Sequence, residues 1–162
     1  MLEKGCTRLA GSTFADRPGA ADMENRVNRR PSLGERITDS AEWIEHKGRR
    51  IIYLDFRPFR GDELVQEIRK VGDAVARIGE NGEPEQLRLI DVRGILASQR
   101  IMGAFKAAAA KMQPYRKATA AVGVERVQKY LVRAVQRFAS IEIQICDTVE
   151  EAKDWLVEQA DK

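Results

Sequence analysis

The sequence predicts an α/β fold with a mostly parallel sheet, about five strands and four helices. Three observations predict it. Short apolar runs alternate with longer stretches of helical period, the order that builds strand–helix–strand units. The first two runs, AEWIEH and RRIIYLDF, are separated only by Lys47-Gly48, a hairpin signal that sets the first strand antiparallel to its neighbour. Capping residues stand where two of the helical stretches begin.

The elements follow in order from about Ile37. In GDELVQEIRKVGDAVARIGE, the residues Leu64, Ile68, Val71, Val75 and Ile78 recur on one helical face. Asp62 and Glu63 suit the positive N-terminal end of that helix. EQLRLIDV is the next strand. SQRIMGAFKAAAAKM is a second helix with Ser98 as its N-cap, and Ala107 to Ala110 give it a thin side that another element can approach closely. Pro114 ends it, and RKATAAVG is the following strand. VGVERVQKYLVRAVQRF carries a third helix, SIEIQICD a last strand and TVEEAKDWLVEQA a last helix. There Thr148 and Glu151 form a capping box.

Residues 1–35 are poor in large apolar groups and rich in Gly, Ala, Arg, Asn and Pro, which predicts a disordered tail before one domain at 36–162. Met23 is an alternative start, with residues 1–22 an upstream extension. Arg29 to Ser32, RRPS, resembles a basophilic kinase site, a match common by chance in tails. A chain of 162 residues with 43% hydrophobic and 33% charged residues can bury one sizeable core. No apolar run approaches the ~18–20 residues that cross a bilayer, and the N-terminus has no secretory apolar stretch. Two cysteines, Cys6 and Cys146, make no disulfide framework, so the expected location is reduced and cytoplasmic.

One histidine, His46, sits beside the hairpin turn, and no Ser-His-Asp or Cys-His arrangement can be assembled around it. GENGEPE precedes a strand and lacks the strand-to-helix setting of a nucleotide loop. Arg60-Gly61-Asp62 spells an adhesion tripeptide but falls at a helix start. Asp55, Asp91 and Asp147 each end a strand, at the edge where ligands gather in open α/β sheets. Three carboxylates there suit Mg²⁺, but aspartate also ends strands through its own backbone hydrogen bonds. No catalytic residue, metal or cofactor is therefore expected, and the chain is read as no enzyme.

Charge is uneven although the net is only +3. Residues 86–137 hold eleven Lys/Arg against two Asp/Glu, while 61–85 hold three against seven and 138–162 two against seven. On the third helix, Arg126, Lys129, Arg133 and Arg137 fall within about a quarter of the circumference. Val127, Leu131, Ala134, Val135 and Phe138 occupy the other side. Arg116 and Lys117 on the preceding strand extend this basic patch, with Arg100 and Lys111 on the second helix as further candidates. Such a face meets either water or something anionic: a protein partner, another copy of the chain through its acidic last helix, or an anionic membrane. Nucleic acid is not expected, because no RNP-type aromatic pattern or helix-turn-helix pair is present.

IIYLDFRPF, LRLIDVRG, YRKATAAVGVERVQKYLVRAVQRF and IQICDTVEEAKDWL together resemble the SpoIIAA-like family over about residues 37–160. These are small bacterial domains related to STAS domains and distantly similar to CRAL-TRIO lipid-transfer domains. The resemblance implies a βα superhelix and a non-enzymatic binding or regulatory module. It also implies a phosphorylatable serine at a helix start, where Ser98 stands without the family's neighbouring aspartate and glycine. The lipid-transfer similarity implies an apolar ligand, with Ile101, Met102, Phe105 and Met112 as its lining, and transient membrane association. The alternative for those four is plain core.

Overall fold

The structure is a computed structural model that describes residues 34–125, 129, 132–133, 136–137 and 142–162. Residues 1–33, the expected tail and alternative start, lie outside the described residues. So do Arg126 and the apolar positions Val127, Leu131, Ala134, Val135 and Phe138 of the third expected helix.

Strands β1 (Ala41–His46), β2 (Arg49–Asp55), β3 (Gln86–Asp91), β4 (Arg116–Val122) and β5 (Gln144–Cys146) form one sheet in the order β1-β2-β3-β4-β5. β1 and β2 are antiparallel, and every later pairing is parallel. Lys47 and Gly48 both take positive φ, 49° and 75°. A two-residue turn needs that pair of conformations to match the twist of its strands. Before β1, the amide of Gly34 donates to Trp43 O and the amide of Trp43 donates to Glu35 O.

Helix α1 (Gly61–Glu80) joins β2 to β3, and α2 (Gln99–Met112) joins β3 to β4 through a 3₁₀ turn at Gln113–Tyr115. Both pack on one face of the sheet, against Trp43, Ile52, Leu54 and Phe56. They cross closely: a Cβ on Gly72 would lie 3.0 Å from Cα and Cβ of Ala108, so the thin side of α2 meets α1. Glu67, buried in α1, accepts from the amide and hydroxyl of Ser40 and pins α1 to the start of β1. Arg88, almost fully buried, donates to Gln86 Oε1 and to the carbonyl of Met112, so it closes the C-terminal end of α2. Burial, and then the nearby Arg116, pulls its pKa down to about 9.

Helix α3 (Val149–Ala160) covers the opposite face, against Ile51, Leu87, Leu89 and the alanines Ala118 and Ala120 of β4. Its start is fixed as the sequence expects. Thr148 Oγ1 accepts the Glu151 amide, and the Glu151 carboxylate reaches back to the amide of Asp147. Farther along, Asp154 meets His46 and Lys47 at the hairpin turn, and Asp161 pairs with Arg49. The helix thus runs diagonally, from the carboxyl end of β5 to the amino end of β2.

The architecture is α/β with three continuous helices among the described residues, against the four expected. Of the remaining one, Lys129, Val132, Arg133, Gln136 and Arg137 are described, each with helical backbone. The last strand is shorter than SIEIQICD. The Glu142 carbonyl accepts from Arg116 Nη1 and the Ile143 carbonyl from Gln136 Nε2, so those groups bond to side chains rather than to β4.

Candidate functional site: an apolar cavity and a row of cations

Strand alternation sends Leu54, Phe56 and Ile90 toward α1 and α2, and the helices answer with Ile68, Val71 and Ile101. Between them lies a cavity of about 100 Å³, which Val124, Val132 and Ile143 of the β4–β5 connection also line. All four residues expected to meet an apolar ligand are in its wall: Ile101, Met102, Phe105 and Met112. Ile101 and Met112 are buried, while Met102 and Phe105 are half-buried. Phe105 is fixed edge-on to Phe56, with ring centroids 5.4 Å apart and planes at 86°.

The size decides what such a space can hold. Pockets that enclose drug-sized ligands measure roughly 300–1,000 Å³, so this space encloses only a smaller group. An apolar cavity of about 150 Å³ stays dry and takes benzene or xenon, and that is the relevant scale.

The basic row is present in part. Lys129, Arg133 and Arg137 are exposed, and none of the three forms an ion pair among the described residues. Arg126 lies outside those residues. Arg116 is half-buried, with Nη1 spent on Glu142 O, so it braces the segment that leads into β5. Lys117, also half-buried, lines a separate polar crevice with Trp43, Arg50 and Glu83. Arg100 and Lys111 do not extend the row: they pair with Asp62 and Asp73 of α1. The acidic stretch around residues 61–85 lies beside α2 and neutralises them. Ser98 Oγ accepts the Ile101 amide at 3.2 Å, as an N-cap does.

Of the three aspartates expected to end strands, the register places Asp55 beside Asp91, while Asp147 lies just past β5, exposed. Each of the first two is bound by the arginine two residues on. Arg57 donates Nε and Nη2 to Asp55 at 2.8 Å each, and its amide donates to the same carboxylate. Arg93 repeats this on Asp91, at 2.9 and 2.6 Å, with its amide at 3.2 Å. The Tyr53 hydroxyl adds a fourth donor to Asp91, and Arg57 Nε stands 3.4 Å from the same oxygen.

The fork of Arg57 holds Asp55 below the usual carboxylate range despite partial burial. Burial pushes Asp91 upward, but the Arg93 fork and amide and the Tyr53 hydroxyl outweigh it and keep it depressed. Burial first, then the bond to Asp91, pushes Tyr53 up to about 12. Among the described residues, no group of three or more His, Cys, Asp or Glu is placed to hold a metal. Reading residue by residue misses Arg57 and Arg93; the signal for them is the repeated wording LDFR and IDVR at the ends of adjacent strands.

The chain matches no protein-family model, no curated protein and no solved structure.

Proposed function

We propose that the domain is a non-enzymatic binding module of the STAS-like kind, and that its ligand is a small apolar group held between α1, α2 and the sheet. One observation carries this reading: hydrocarbon from β2, β3, β4, α1, α2 and the β4–β5 connection lines a single space. Core residues normally interdigitate with few voids larger than a water molecule. The volume favours a sensor of a benzene-sized molecule, or of one end of a longer one, over a carrier of an entire lipid.

Titration with xenon or benzene, followed by methyl NMR, tests the reading. Saturable shifts should appear at the methyls of Ile101, Met102 and Met112 and be absent in Ala121→Leu, which fills the space. Unchanged spectra at saturating xenon would remove the reading.

A second reading is recognition of an acidic protein surface through Lys129, Arg133 and Arg137. Their exposure, with no carboxylate partner among the described residues, supports it. Reversing all three to Glu should abolish capture of that partner. Flotation with anionic vesicles at low and high salt distinguishes a membrane from a protein, because an exposed charge attraction weakens within a Debye length of ~10 Å at 0.1 M salt.

A further inference from the structure

The paired aspartate–arginine ends of β2 and β3 are a built structure with a third cation beside them. Asp55 and Asp91 are in register on adjacent parallel strands, and each receives its own arginine in the same way, by amide and fork together. The charges are layered. Asp91 is fully buried, whereas the side chains of Arg57 and Arg93 are 43% and 47% exposed. Both oxygens of each carboxylate are occupied from within, so the groups left to face outward are the unspent guanidinium N–H groups.

A third arginine joins them. Arg60 Nη1 donates to the carbonyls of Arg57 and Phe59, and its Nη2 lies 3.8 Å from where a Cβ on Gly94 would stand. It therefore reaches from the loop after β2 to the loop after β3. Among the described residues it has no carboxylate partner. The third guanidinium adds a positive charge beside two Asp–Arg pairs that already neutralise each other.

Side-chain alternation points Tyr53, Asp55 and Asp91 to the face that carries α3. That helix begins beyond β5 and ends beside Arg49, so its diagonal misses the carboxyl ends of β2 and β3. Among the described residues, α3 therefore leaves this corner uncovered.

We propose that Arg57, Arg60 and Arg93 form a binding site for a phosphate group at this corner. Guanidinium forks match the oxygens of phosphate, and arginines already oriented by carboxylates lose little freedom on binding. The carboxyl edge of a parallel sheet is also where α/β folds bind their ligands. The phosphate could belong to a soluble ester or to a lipid headgroup, and the experiment separates the two.

Inorganic phosphate is titrated into the full chain at constant ionic strength against chloride, with binding read by ³¹P line broadening and calorimetry. In a parallel arm, vesicles of phosphatidylcholine with and without phosphatidic acid are tested by flotation. Arg57→Gln or Arg93→Gln would strand a carboxylate and risks unfolding. Arg60→Gln strands none, so it should keep the thermal midpoint while weakening phosphate binding about tenfold, as loss of one charge-assisted contact predicts. Arg57→Lys, which keeps the charge and loses the fork, should also weaken it. Binding of free phosphate without vesicle binding assigns a soluble ester, and Arg60-dependent binding to phosphatidic acid alone assigns a headgroup. Phosphate binding no better than chloride together with no preference for phosphatidic acid overturns the proposal, as does an Arg60→Gln protein that binds like the wild type.

Discussion

The two faces of the sheet are packed by opposite means. On the α3 face, β4 offers Ala118 and Ala120, and one helix comes close enough to bury Ala152 and Leu156 completely. On the other face the strands offer Leu54, Phe56 and Ile90 to two helices, yet a space remains. Small residues facing one helix close a layer, whereas large residues shared between two helices and a connection need not. Residue size therefore says less about filling than the number of elements that must meet at a point.

The comparison can be broken most severely at Leu156. Leu156→Ala should cost about 4 kcal/mol in urea unfolding, because the closed layer cannot relax into the gap. A loss under about 1 kcal/mol would show that the α3 face is loose as well.

Next comes the arginine corner of that face. Asp91→Asn leaves the Tyr53 and Arg93 groups facing an uncharged amide and should cost about 3 kcal/mol. The pH dependence has a definite sign. Asp91 and Asp55 have folded pKa values below their unfolded ones, so their contribution is complete above the unfolded carboxylate range. It is lost as pH falls through the lower folded values. Acid titration of unfolding should show wild type losing more stability than Asp91→Asn over that window, and parallel curves would count against the network.

The sharpest contrast lies in two neighbouring alanines of β4. Ala120 is in the α3 layer and Ala121 in the cavity wall. Ala120→Val should destabilise by roughly 1–3 kcal/mol through overpacking. Ala121→Val should stabilise by about 1 kcal/mol by occupying the space. Equal effects in calorimetry would erase the distinction between the faces. Smallest of all, Lys129→Glu on the exposed row should move stability by no more than about 0.5 kcal/mol.

Much of this was legible where the signal is local. The apolar period of Leu64, Ile68, Val71 and Val75, the Ser98 cap and the Thr148–Glu151 box place three helices to within a residue. Lys47-Gly48 places the hairpin. What was not legible depends on contacts between elements. Arg100 and Lys111 looked like extensions of a basic patch because their partners, Asp62 and Asp73, are distant in sequence. The late start of β5 goes with two side chains, Arg116 and Gln136, that take the carbonyls of Glu142 and Ile143 just before it. The Met and Phe stripe of α2 was readable as apolar, but an unfilled volume beside it is a property of three dimensions. The arginine corner was visible only as repeated text, and it takes the strand register to turn LDFR and IDVR into neighbours.

The covering of one face by a single late helix also has a consequence for biosynthesis. The ribosome delivers β1 to β4 and both partners of the first layer before residues 149–160 emerge. Until they do, the nascent chain carries a bare hydrophobic surface of Ile51, Leu87, Leu89 and Val122, open to chaperones or to a neighbouring chain. Maturation of this domain is thereby tied to its final dozen helical residues.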